Sequence, residues 1–220
     1  MNIFDIIGPI MIGPSSSHTA GAVRMGRVAR KILGEDAAVA DIGLVGSFAQ
    51  TYKGHGTDKA LIAGILGMRP DDERIPVSLD IANEAGLRFT FSQVKMQNAH
   101  PNTAILDLTG VNGSKCTVEG VSVGGGNIQI TKLNGMAAAF NGMLDTLIIP
   151  HHDRPGVIAV VAEKLAQLGV NIGSFRLSRP KKNELAIMTI ELDSGIDKHV
   201  VNELRELPHV VNVVYMRPSH

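Results

Sequence analysis

The chain has 220 residues, 44% of them hydrophobic, and its 21 Lys plus Arg are matched by 21 Asp plus Glu. That length and apolar content support a buried core in one large or two small domains, and two are expected. A formal net charge of zero supplies no field that would draw the protein to nucleic acid or to an anionic membrane, and neither is expected as a partner.

The opening MNIFDIIGPIMIG has no basic leader region, carries Asp5 and is broken by Gly8 and Pro9. No apolar run approaches the roughly 18 residues of a membrane span, so a cytoplasmic protein is expected. GPSSSHTAG (13–21) then runs straight into a helical pattern, with Ala22, Met25, Ala29, Ile32 and Leu33 on one face and Arg24, Arg27 and Lys31 on another. Gly21, Ala22 and Gly26 would let a second backbone come close. ADIGLVGSF (40–48) reads as a strand, TDKALIAGILG (57–67) as a short helix opening at Thr57 or Asp58, and LRFTFSQV (87–94) as a half-buried strand.

Beyond Pro101 comes a meander of AILDLTG, a turn at Asn112 and Gly113, CTVEGVSV, the triplet Gly124 to Gly126, and NIQITKLNG. The first segment is therefore expected to be a mainly antiparallel sheet with helices on one face, an α+β layer structure over residues 1–143. Residues 144–220 have a cleaner pattern. TLIIPHH is a strand; DRPGVIAVVAEKLAQLG is a helix with Asp153 as its cap, Pro155 in its first turn and Gly169 past its end. VNIGSFRLS and the alternating ELAIMTIEL are two strands around an RPKKN turn, DKHVVNELREL is a helix stopped by Pro208, and VVNVVYM is a last strand. The order is the ferredoxin-like βαββαβ.

Four stretches carry possible chemistry, each beside a plainer reading. Ser15, Ser16, Ser17 and Thr19 stand at a helix start, where free N–H groups and a partial positive charge favour a carboxylate or phosphate; a serine cap explains them as well. His55 lies between Gly54 and Gly56 and suits a general base, or is a solvated loop histidine. In AHPNTA, Pro101 holds His100 extended and sets the turn that presents Asn102 and Thr103, although turn chemistry alone accounts for it. HHDRPG, where a strand meets a helix, points N–H groups outward and suits an amino-acid carboxylate, or is a structural turn. His151 and His152 face opposite ways on a strand and make a poor metal pair, and no metal site of this chain is expected. The single cysteine, Cys116, excludes an internal disulfide and also a cluster held by this chain alone, which takes about four thiolates. The glycine triplet lacks the context of a dinucleotide fingerprint, and no lysine is singled out for pyridoxal phosphate.

Taken together, IGPSSSHTAG, GSFAQTYKGHGTDKA, HPNT and VSVGGGNIQI, in this order and ahead of the βαββαβ segment, resemble the β subunit of the two-chain bacterial iron–sulfur-dependent L-serine dehydratases. The last segment resembles an ACT domain through DRPGVIAVVAEKLAQLGVNI, and the first also resembles the allosteric substrate-binding domain of some D-3-phosphoglycerate dehydrogenases. The resemblance implies an L-serine ammonia-lyase subunit, forming pyruvate and ammonia, whose 4Fe-4S cluster sits on a separate α subunit and polarises the leaving hydroxyl without pyridoxal phosphate. It implies His55 as catalytic base and Ser15, Ser16, Ser17, His18, Thr19, Lys53, Thr57, His100 and Asn102 as substrate-binding residues. An effector would be held at His152, Asp153, Arg154, Gly156 and Asn171, with self-association through the ACT domain. GMAAAF (135–140) departs from the more polar strand the family leads one to expect. Two rivals stay open: a purely regulatory amino-acid-binding subunit, and a stand-alone amino-acid sensor.

Overall fold

A computed structural model describes residues 11–218; the first ten residues, part of the opening stretch read above, lie outside it. The contacts divide the chain into two compact units, 1–134 and 135–220.

In the first unit, α1 (Ala20–Leu33) ends where Gly34 turns left-handed at φ 81° and returns its N–H to Arg30 O, with Arg30 and Lys31 favourably placed beside the negative end of the helix. The strands β1 (Ala37–Leu44), β2 (Arg88–Gln93), β3 (Thr103–Gly110), β4 (Lys115–Gly124) and β5 (Asn127–Leu133) run in the order β2-β1-β3-β4-β5. Only β1 and β2 pair in parallel. Alternate residues face the helices: Ala104, Leu106 and Leu108 on β3, and Cys116, Val118 and Ser122 on β4, are buried. The glycine triplet is a turn in which all three residues have positive φ, and Arg24 Nη1 donates to Gly126 O at 2.8 Å.

The strand expected over 40–48 stops at Leu44. Gly46–His55 is instead a helix, α2, followed across Gly56 by α3 (Thr57–Ile65). A 3-10 turn (Ile75–Val77) and α4 (Ser78–Glu84), neither expected from sequence, complete the layer. Helix α1 packs on β3, β4 and β5 and against α3. Gly26 of α1 and Gly64 of α3 let the two helices close on each other: a Cβ at Gly26 would fall 2.4 Å from Leu61 O, and one at Gly64 2.1 Å from Val23 O. Gly64→Ala tests this contact. Alanine in a free helix is worth up to about 1 kcal/mol over glycine, whereas overpacking costs about 1–3 kcal/mol. A lower denaturant midpoint is expected, and a higher one would show that the helices do not touch there.

The second unit contains β6 (Met136–Phe140), β7 (Asp145–His152), α5 (Val157–Gln167), β8 (Ile172–Ser178), β9 (Leu185–Leu192), α6 (Lys198–Arg205) and β10 (Val214–Met216). From β7 onward the order is the expected βαββαβ, folded as an antiparallel sheet β10-β7-β9-β8. Leu147, Ile149, Val161, Leu165, Met188 and Leu204 form the centre of its core. β9 is buried at every position from Ala186 to Ile190 rather than on alternate ones, because β6 lies against β8 and β9 as well. Asp153 is not the cap of α5: Gly156, at φ 91°, holds that position. The Asp153 carboxylate accepts the Asn183 N–H at 2.9 Å and Arg179 Nη1 at 3.1 Å instead. The last strand is only three residues long, and Val210 forms an isolated bridge to His151.

Candidate active-site cavity

Two helices meeting at one glycine build the site. Gly46, at φ 56°, starts α2 with its Cα pressed on the loop at Pro101, whose carbonyl accepts the Phe48 N–H at 3.2 Å. At the other end Gly56, at φ 70°, caps α2 through an N–H bond to Tyr52 O and is also the residue from which α3 begins. His55 is thus the last residue of α2, not a loop histidine, and Lys59 follows in the first turn of α3. Ser78, fully buried, donates to Lys59 O at 2.7 Å and ties the 3-10 turn to the same corner.

Around that corner is a cavity of about 220 Å³ walled by Gly13, Pro14, Thr19, Lys53, Gly54, His55, Gly56 and Lys59, with Ile12, Ile75 and Pro76 as its apolar side. Thr19 is 2% exposed, and its Oγ1 is buried with no hydrogen-bond partner among the described residues. Two ammonium groups, an unpaired buried hydroxyl and an exposed imidazole in one concave wall suit a small anion bearing an acidic proton. Lys59, Ile75 and Pro76 were not anticipated. Lys59 lies one turn beyond His55 in sequence, the one local signal that points to it.

The serine run behaves unlike a cap. The N-cap position before α1 is Thr19, which makes no side-chain capping bond; the chain instead winds in through Thr19 N to Ser15 O and Gly21 N to Ser16 O. Ser15 and Ser17 turn their hydroxyls to His18 Nδ1, at 3.2 and 3.1 Å. His18 is buried and is not part of the cavity wall. Burial, and secondarily the nearness of His55, holds its pKa below the ordinary imidazole value.

His100 and Asn102 stand at the opposite end of α2, a ten-residue helix about 15 Å long. There Asn102 N donates to His100 Nδ1, and Asn102 Oδ1 is buried without a partner. Thr57 is fully buried outside the cavity wall, its hydroxyl also unpartnered. Of the residues expected to hold substrate, Thr19 and Lys53 therefore join His55, while Ser15, Ser16, Ser17, His18, Thr57, His100 and Asn102 do not reach the wall.

In the second unit, Asp153, Arg154, Pro155, Gly156, Ile158, Leu177, Arg179, Lys182 and Asn183 line a cavity of about 340 Å³. The Asn183 N–H and the Arg179 guanidinium hold the Asp153 carboxyl below the usual carboxylate range. His152 lies outside its wall, and Asn171 is far away: it donates to Asp193 beyond the end of β9 opposite to Leu185, the partner of His152. Seven residues of strand separate those two ends, about 23 Å.

Among the described residues, no three His, Cys, Asp or Glu side chains gather to hold a metal ion. Cys116 is buried on β4 with its Sγ toward Ala29 O at 3.7 Å, and burial, with Asp107 adding to it, pushes the thiol up to about 12. One inert thiol does not fit an iron–sulfur cluster. Native protein at pH 8 is accordingly expected to leave Cys116 unlabelled by Ellman's reagent until denaturant is added. Rapid labelling without denaturant would contradict this burial. No helix among the described residues is long and apolar enough to cross a membrane.

Comparison with known proteins falls in line with this division. Residues 2–85 match the family model described as serine dehydratase beta chain, and residues 146–209 match that of the ACT domain. The chain is 44% identical to the probable L-serine dehydratase, beta chain, of Bacillus subtilis, over 96% of each protein. It is 37% identical to the L-serine dehydratase, beta chain, of Peptoniphilus asaccharolyticus, over 97% of this chain and 96% of that one. A shorter match, 31% identical over 38% of this chain and 16% of the relative, is to D-3-phosphoglycerate dehydrogenase of Methanocaldococcus jannaschii.

Proposed function

Because the chain belongs to the family of L-serine dehydratase beta chains, we propose that its 220 Å³ cavity is one wall of an active site that a separate α subunit completes. The α subunit carries the 4Fe-4S cluster, to which this chain could bring only its single cysteine, and the assembled lyase turns L-serine into pyruvate and ammonia in the cytoplasm. In this wall the substrate carboxylate lies between Lys53 and Lys59 and accepts a hydrogen bond from the Thr19 hydroxyl. His55, exposed at the end of α2, takes the proton from Cα. Its exposure is what a residue acting across a subunit boundary requires. The observation that carries the reading is the convergence of Lys53, His55, Lys59 and the partnerless Thr19 hydroxyl on one cavity.

The second cavity, with Arg154, Arg179 and Lys182 beside the strand-to-helix turn at Gly156, supports an amino-acid effector held by its carboxylate. Phe175 and Leu177 remain 42% and 37% exposed on β8, the edge strand, which supports pairing of two second units through that edge. Anaerobic co-expression with a cysteine-bearing partner chain tests the whole proposal. A brown complex forming pyruvate from L-serine is the expected result; failure of the two chains to associate would leave the stand-alone sensor as the better reading.

A further inference from the structure

We infer that His18 is a positioning residue, an immobilised ring against which the His55 imidazole is held toward the cavity. The inference rests on the reading of His55 as the base. His18 is 6% exposed and lies behind the cavity wall. Four hydroxyls from two separate elements grip its two nitrogens: Ser15 and Ser17 at Nδ1 (3.2 and 3.1 Å), and Ser47 and Thr51 of α2 at Nε2 (3.4 and 3.2 Å). The proton directions follow from one bond. Thr51 gives its hydroxyl proton to Ser47 O at 2.8 Å, so its oxygen accepts from His18, which places the ring proton on Nε2 and leaves Nδ1 to accept from Ser15 or Ser17.

With both nitrogens engaged, the ring offers only carbon edges and faces to its other neighbours. Phe48 meets it at 5.1 Å between centroids and His55 at 4.7 Å, the latter at 86°, nearly perpendicular. His18 cannot turn without losing bonds at both nitrogens. The neutral state favoured by burial also avoids placing a further cation, beyond Lys53 and Lys59, beside His55. An exposed imidazole on the last residue of a helix would otherwise sample several rotamers, and small errors of aim are costly in proton transfer.

Thr51→Val in the reconstituted complex tests this, since it keeps the side-chain volume but removes the hydroxyl on which the Nε2 bond depends. The expected result is a kcat lowered about tenfold with KM within twofold. The deuterium isotope effect on kcat with α-deuterated L-serine should rise, because removal of the Cα proton becomes slower relative to the other steps. Thr51→Ser, which restores the hydroxyl, should return both quantities to wild type. A merely structural role would leave the isotope effect where it was. His55→Ala is run beside these variants. Full turnover in His55→Ala overturns the base reading itself, whereas a slow His55→Ala together with wild-type kcat and isotope effect in Thr51→Val overturns the positioning role alone.

Discussion

In the assembled enzyme, His55→Ala is expected to lower kcat about a hundredfold or more while leaving chain association and iron content unchanged. The size follows from what a correctly aimed base contributes to removing a weakly acidic proton, and the selectivity follows from place. His55 is exposed at the end of α2, and a Cβ remains in the variant, so neither the helix nor the core is disturbed. Pyruvate formation measures the first expectation; gel filtration and iron and sulfide determination measure the second. Because the cavity is large enough to admit a small heterocycle, added imidazole should restore part of the lost rate. Unchanged turnover would remove His55 from the chemistry. A variant altered only in activation by an amino acid would favour the purely regulatory subunit.

The second large effect concerns binding. Lys53→Ala and Lys59→Ala are each expected to raise KM for L-serine about tenfold, the consequence of losing one charge-assisted contact to a carboxylate. The double variant should show roughly the product if the two cations act independently. Lys53 reaches the cavity from α2 and Lys59 from α3, so each can be removed without dislodging the other. Thr19→Val, isosteric and buried, should add a smaller rise in KM and should not harm stability, because its hydroxyl has no partner to lose among the described residues. Wild-type KM in the double variant would move the carboxylate site elsewhere.

The second unit was legible in the sequence because its elements follow simple periods. Val161 and Leu165 lie on one face of α5, and the Arg179–Asn183 turn separates two apolar runs, so pattern alone gives the element order that the sheet then closes. Asp153 misled for a local reason: an acidic residue before a helix usually caps it, but here Arg179 and Asn183, about thirty residues away in sequence, claim the carboxylate. Helix α2 was hidden in a different way. Ser47, Phe48 and Thr51 carry no strong apolar stripe, so Gly46–Phe48 reads as the tail of β1 until the packing of Gly46 on Pro101 is seen. For the site, the motif around His55 falls at the corner where the proposed cavity lies. Ile75 and Pro76 come to it by tertiary folding, and the hydroxyl grip of Ser47 and Thr51 on His18 crosses about thirty residues of chain, beyond any pattern within one segment.

The linkage at Gly56 sets a demand of handedness rather than of size. A Cβ there would meet nothing within 4 Å, yet the φ of 70° is one that L-residues rarely adopt. A semisynthetic chain with D-alanine at position 56 would therefore preserve the angle between α2 and α3, and with it the spacing of imidazole and ammonium, where its mirror image, L-alanine, would wrench them apart.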